Sequence, residues 1–194
     1  SKIHFLPCNG TKHYLGDIEK YSLDMRSKYP EDKWNKLMKF LLTCQVELSE
    51  KYNIPLTGHF INYRESLINW CPIGRNASND DRSIFERKNN STTTESIRTI
   101  YLKKINDFML FNDMNIEVKL GGDTSFDIFP KGWDKSYPIN KGIFKDYKIY
   151  FVGDRCTPRG NDWEIFNHSD VEGYNTESPE HTIEIVNNIL SQIV

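Results

Sequence analysis

Gly121-Gly122-Asp123-Thr124-Ser125-Phe126-Asp127-Ile128-Phe129-Pro130-Lys131-Gly132-Trp133-Asp134-Lys135 is the stretch around which the 194-residue chain is ordered. Phe126 and Ile128 alternate with Ser125 and Asp127. That is the period of a strand, and it predicts a hydroxyl and a carboxylate two residues apart on one face. A pair fixed in this way can hydrogen-bond the vicinal hydroxyls of a ligand. The paired glycines before the strand and the Pro-x-Gly after it mark turns at both ends. Lys135 follows as a fixed cation. An ordinary edge strand with a surface lysine shows the same pattern, so the stretch alone leaves ligand binding and plain structure both open.

Outward from this strand the pattern alternates between sheet and helix. Residues 115–120 read as a further strand candidate. Upstream, residues 59–63 and 67–70 read as a hairpin joined by Arg64-Glu65-Ser66. A helix is expected over about residues 31–53, opened by Pro30, with Trp34, Leu37, Met38, Leu41, Leu42, Val46 and Leu48 on or near one face. Residues 72–82 are polar and turn-rich, and residues 86–94 read as an exposed loop. Thr92-x-x-Glu95 has the form of a capping box opening a helix that carries Ile97, Ile100, Tyr101, Ile105 and Phe108. At the start of the chain, Ile3, Phe5 and Leu6 precede a turn at Asn9-Gly10.

After Lys135 the character changes. Residues 147–152 are an almost unbroken apolar run, the mark of a buried parallel strand. The run ends in Gly153-Asp154 and so puts a carboxylate at the strand's carboxyl end, where open α/β sheets bind ligands. Gly160-Asn161-Asp162 is expected to open a helix. The last helix starts at Ser178-Pro179-Glu180, with Ile183, Val186, Ile189, Leu190 and Ile193 facing inward. The expected fold is therefore an α+β segment of antiparallel strands and helices followed by a piece of an α/β layer.

The composition excludes several classes. A net charge of −2 gives no global basic field for nucleic acid, and no apolar run approaches the length of a membrane span. The four cysteines, Cys8, Cys44, Cys71 and Cys156, form neither a Cys-x-x-Cys pair nor a zinc spacing, which suits a reducing, cytoplasmic setting. None of the five histidines has a serine or cysteine partner in a recognisable triad motif.

Two groups of residues carry chemistry. Arg64, Arg75 and Arg82 have planar forks suited to bidentate contact with phosphate, although Asp80 and Asp81 offer them plain ion-pair partners. Asp154, Asn161 and Asp162 are hard oxygen donors of the kind magnesium takes, and Gly-Asp after a strand is equally a turn with a helix cap.

Taken together, Pro72-Ile73-Gly74-Arg75, Gly121-Gly122 with Ser125-Phe126-Asp127-Ile128-Phe129-Pro130 and Gly132-Trp133-Asp134-Lys135, and Gly153-Asp154 with Pro158-x-Gly160-Asn161-Asp162-x-Glu164-Ile165-Phe166 resemble eukaryotic-type phosphomannomutases of the haloacid-dehalogenase-like superfamily. Asn9-Gly10, Gly173-Tyr174 and Ser178-Pro179-Glu180 fit as well. The resemblance implies an α/β Rossmann-like core, incomplete here, bearing an α+β cap built on an antiparallel sheet. Residues 1–19 would belong to the core, 20–133 to the cap and 134–194 to the carboxyl-terminal part of the core. It implies interconversion of mannose 6-phosphate and mannose 1-phosphate, towards GDP-mannose, by phosphoryl transfer through a hexose 1,6-bisphosphate that also serves as activator. Arg64, Arg75 and Arg82 would hold the distal phosphate, and Ser125 and Asp127 the sugar hydroxyls. Lys135 would offset charge at the catalytic carboxylate, and Asp154, with Asn161 and Asp162, would bind Mg²⁺. A homodimer through the cap is also implied, with Trp34 and Phe40 as candidate contacts, and neither a nucleic-acid nor a membrane partner is expected.

Two departures qualify this. The family's Asp-x-Asp-Gly-Thr signature, which supplies the nucleophile and the general acid/base, occurs nowhere in the chain. The match opens near the start of the cap, so a preceding stretch of about sixty residues is expected, enough for a β-α-β opening of the core. His168 and Val171 replace the oxygen-bearing residues of a second cation site found in some members, so that site is not expected. A sugar-phosphate phosphatase of the same superfamily and a non-catalytic phosphosugar-binding protein are the rival readings.

Overall fold

The computed structural model describes residues 3–91, 95–158 and 160–193. Its central feature is a four-stranded antiparallel sheet in the order β4-β5-β7-β6. The strands are β4 (Ile61–Tyr63), β5 (Ile68–Trp70), β6 (Ile116–Gly121) and β7 (Ser125–Pro130). The register sets Asn69 opposite Asp127 on one side of β7 and Lys119 opposite it on the other. A small antiparallel meander precedes this sheet: β1 (His4–Phe5), β2 (Lys12–Leu15) and β3 (Ile18–Ser22). Following it are β8 (Ile149–Gly153) and β9 (Val171–Asn175), paired in parallel.

Three helices cover the large sheet: α1 (Glu31–Tyr52), α2 (Asn79–Asn90) and α3 (Ile97–Phe111). Strand alternation decides which face they cover. Ile68, Trp70, Phe126 and Ile128 are fully buried and share one cluster with Leu37, Leu41 and Leu48 of α1 and Tyr101 and Ile105 of α3. Trp70 stacks on Phe126 at 4.9 Å and meets Tyr101 edge-on at 5.9 Å. Gln45 is buried among these groups without an unmet bond: its Oε1 accepts from Trp70 Nε1 and its Nε2 donates to the Pro72 carbonyl. The alternate residues, Asn69, Ser125 and Asp127, face away from the helices. Three short or terminal helices complete the chain: α4 (Tyr137–Asn140), α5 (Trp163–Phe166) and α6 (Pro179–Ile193).

Several expectations need correcting. Leu42 and Val46 are more than half exposed; the inward stripe of α1 runs instead through Trp34, Leu37, Leu41, Cys44, Gln45 and Leu48. Trp34 belongs to the core, edge-on to Tyr63, and is no contact surface, whereas Phe40 is half-buried and stacked on Phe108. Helix α2 takes in residues 79–82, expected as turn, and 86–90, expected as loop, and is opened by a capping box between Ser78 and Asp81. Thr92 lies outside the described residues, and α3 starts from Ser96, whose side chain accepts from Thr99 N–H. Within the apolar run 147–152 a parallel strand does form, from Ile149 onward, but β8 is only half-buried along its length and Tyr147, outside it, is exposed. On α6, Ile185 and Ile189 are buried while Ile183, Val186 and Leu190 are exposed; the side chain of Ile193 lies outside the described residues.

Candidate functional site

The polar face of the large sheet opens onto two neighbouring cavities. The smaller, of about 160 Å³, is lined by Arg64, Arg75 and Arg82 together with Asn69, Ser125 and Asp127. The larger, of about 540 Å³, shares Arg64 and Asp127 with it and adds Lys135, Asn161 and an apolar wall that includes Phe144 and Phe151.

Each arginine arrives from a different element. Arg64 follows β4 in the tight hairpin turn, where its N–H donates to the Leu67 carbonyl at 2.8 Å. Arg75 follows the Gly74 turn, and its Nη1 donates to Asn69 Oδ1 at 3.4 Å. Arg82 sits in the first turn of α2 and donates from Nη1 to Thr124 Oγ1 at 3.3 Å. Asp81, considered above as a partner for them, is occupied by the α2 cap: hydrogen bonds from the Ser78 hydroxyl and N–H hold its carboxyl below the usual range. The arginines therefore share one small cavity instead of each pairing with a neighbouring acid.

Asp127 points into both cavities because residue 121 has no side chain. A Cβ on Gly121 would come within 2.9 Å of the Asp127 carboxyl. Asp127 Oδ1 accepts from Asn69 Nδ2 at 2.7 Å, so the cross-strand pair fixes its orientation. Ser125 shares the face as expected, with its hydroxyl donating to the Gly121 carbonyl at 2.7 Å and its remaining lone pair available to accept. Asn69 and Thr124 are contributors that sequence reasoning missed; the cross-strand register was the only signal for Asn69.

At the other end Lys135 pairs with Asp162, whose side chain is almost fully buried. The second oxygen of Asp162 accepts from the Arg155 N–H at 3.0 Å. This loop is tight: a Cβ on Gly160 would sit 2.0 Å from the Arg155 carbonyl oxygen, so only glycine fits there. Asn161 lines the larger cavity, and its Oδ1 is buried with no hydrogen-bond partner. Asp154 is exposed and lies 3.6 Å from the Arg155 Nε. Among the described residues no three His, Cys, Asp or Glu side chains cluster as a ready metal cage. The orphaned Asn161 Oδ1, flanked in the same loop by two carboxylates, nonetheless suits a hard cation that retains several waters.

Two further ion pairs tie this carboxyl-terminal loop to the β6–β7 hairpin. Lys119 meets Glu164 at 2.6 Å, and Arg155 meets Asp123 at 2.5 Å.

The eukaryotic phosphomannomutase profile matches residues 3–192. The chain belongs to the eukaryotic phosphomannomutase family. It is 35% identical to the Saccharomyces cerevisiae phosphomannomutase over 188 residues, covering 94% of this chain and 69% of that protein. The phosphomannomutase of Encephalitozoon cuniculi is 39% identical over 191 residues (96% of this chain, 70% of that protein), and that of Spinacia oleracea 33% over 177 (90% and 67%). The chain thus spans about two thirds of the length of these family members. Among solved structures, an IMP-bound Plasmodium falciparum IMP-nucleotidase superposes with a TM-score of 0.55 at 13% identity, over 88% of this chain and 42% of that one. At that identity the likeness speaks for the fold alone, and the α/β haloacid-dehalogenase-like class fits the family assignment.

Proposed function

We propose that this chain is the substrate-gripping portion of a phosphomannomutase, acting on mannose 6-phosphate and mannose 1-phosphate. One observation carries the reading: three guanidinium groups from three separate elements line a single small cavity that opens beside a larger one holding Lys135. Such a site suits a ligand anionic at both ends. The distal phosphate is gripped by Arg64, Arg75 and Arg82, and charge-assisted, forked hydrogen bonds make arginine the suitable residue for it. Asp127 and Ser125 accept from sugar hydroxyls between the two ends. These contacts tolerate a hexose turned end for end, as transfer through a hexose 1,6-bisphosphate requires. Asp154 and Asn161, with Asp162 behind them, would hold Mg²⁺, which when bound would neutralise charge on the reacting phosphate. Lys135, fixed by Asp162, keeps a positive charge facing the reacting end.

In this reading residues 1–19 and 134–194 belong to the core and 20–133 to the cap, and the cap surface supports a homodimer. The nucleophilic and acid/base aspartates of the family signature are not among these 194 residues, so the chain binds the substrate without turning it over.

Calorimetry of mannose 1-phosphate binding to the chain and to Arg82→Ala tests the clamp. Loss of one charged partner should cost about 1.5–3 kcal/mol of binding. Arg82→Lys should also bind less tightly, because an ammonium lacks the fork. Equal affinity in folded Arg82→Ala would overturn the assignment.

A further inference from the structure

Arg98 is the second residue of α3, only 8% exposed, and lines neither cavity. Its Nη2 donates to three carbonyls of one turn: Gly121 at 3.3 Å, Gly122 at 2.9 Å and Ser125 at 2.7 Å. The guanidinium carbon lies 5.9 Å from the Phe126 ring, and among the described residues no carboxylate is within ion-pair distance of it. Burial pushes its very basic group down to about 10, so it remains charged at neutral pH. Burying a cation is costly, and backbone carbonyls turned inward are costly if left unpaired. Here the Nη2 contacts offset part of both costs, although the Arg98 Nε–H is buried without a hydrogen-bond partner.

The turn held in this way is the one that feeds the cleft. Thr124, at its tip, is 3% exposed, and its Oγ1 accepts from Arg82 and contacts Cys71 Sγ at 3.5 Å. Ser125 ends the turn and starts β7, two residues before Asp127. An unbroken series of contacts therefore runs from α3 through the turn to a guanidinium in the cavity.

We infer that Arg98 is a positioning residue: it fixes the β6–β7 turn from beneath and, through Thr124, sets where the Arg82 guanidinium points. The functional weight of this rests on the reading of Arg82 as a phosphate-gripping group; the geometric part stands without it.

Hydrogen exchange of residues 121–125 and the Arg82 Nε–H resonance, both recorded without ligand, test the geometric part. In Arg98→Lys the charge stays but the three-carbonyl contact is lost. Exchange in the turn should rise roughly tenfold while α1 stays protected, and the Arg82 signal should shift. Thr124→Val leaves Arg98 in place and should move the Arg82 signal with little change in turn exchange. If Arg98→Lys fails to fold, Arg98→Gln, which keeps a planar amide donor but not the three-carbonyl contact, decides the matter, and the Arg82 signal should again shift. Mannose 1-phosphate calorimetry then closes a double-mutant cycle. Arg98→Lys should weaken binding roughly three- to tenfold in the parent chain and much less in an Arg82→Ala background. An Arg82 resonance unmoved by the Arg98 change, or equal losses in the two backgrounds, would overturn the inference. A parent chain that binds no sugar phosphate would instead sink the substrate reading, leaving the two ligand-free measurements to decide the role of Arg98.

Discussion

Asn69 joins two candidate site groups through one buried amide: Nδ2 donates to Asp127 and Oδ1 accepts from Arg75. Nothing in Ile68-Asn69-Trp70 singles it out, because a lone asparagine in an apolar hairpin reads as a turn-side polar residue. Its importance arises only from the register that sets it opposite Asp127. The arginines and Asp127, by contrast, draw notice in the chain itself, as forked cations and as a carboxylate alternating with apolar strand residues, while the roles proposed for them come from the family resemblance. His13 lends itself to a prediction at this scale. It is buried, stacked on His4 at 5.0 Å and joined to it by a 2.8 Å ring-to-ring hydrogen bond. Burial first, and then His4 and Lys20, lower its pKa. Its ordinary value is about 6.5, so the unfolded chain binds a proton that the folded chain refuses, and stability falls as pH drops below about 6.5. Urea unfolding at pH 7 and pH 5.5 should show a larger loss in the parent chain than in His13→Gln. Identical pH dependence would remove His13 from this account.

Among the elements, α2 shows how a helix can hide. Only Phe85 among its residues is buried, so it lacks the apolar stripe that exposes α1 and α3. What starts it is local: Ser78 Oγ accepts from Asp81 N–H while the Asp81 carboxylate accepts from Ser78 N–H. Ser78→Ala should lose about 1 kcal/mol of stability on chemical denaturation. Because Arg82 sits in that first turn, the same change should also weaken phosphosugar binding. An unchanged midpoint would mean that other contacts hold the turn. The reverse error affected α6, where Ile183, Val186 and Leu190 and the pair Ile185 and Ile189 mark two apolar faces, and periodicity cannot choose between them. For the strands, alternation in residues 125–130 fixed the buried face without ambiguity, because only one parity is apolar through the middle of the strand.

At the scale of the whole molecule, apolar surface is left uncovered. Leu42 and Val46 on α1, and Leu110 and Phe111 at the end of α3, are each more than half exposed. These helices lie side by side, with Phe40 stacked on Phe108 at 3.8 Å. This is the surface we propose for the homodimer, which would have to bury on the order of 1,200 Å² or more in total. Sedimentation velocity should find a dimer for the parent chain and a monomer for Phe111→Asp or Val46→Asp. A parent chain that sediments as a monomer at high concentration would count against it. The division into cap and core is what the family motifs propose for the chain. The apolar run alone did not show the half-burial of β8, because it says what a strand can pack against and not what is there to pack; the incomplete core implied by the resemblance did lead one to expect exposed apolar surface.

That half-buried strand carries a liability of its own. Among the described residues β8 pairs with β9 alone, so one edge of Ile149-Tyr150-Phe151-Val152 presents unpaired backbone groups. A short, uncharged, β-prone segment with an open edge is a template for fibrillar stacking. Two charges act as gatekeepers at its ends: Lys148, paired with Glu172 at 3.1 Å, and Asp154. The chain's shelf life in solution should therefore depend on residues far from any ligand. Lys148→Ala should shorten the lag before thioflavin-positive aggregates form, and Tyr150→Lys should lengthen it, in each case with thermal stability nearly unchanged. Lag times that do not respond to either change would place the sticky segment elsewhere in the chain.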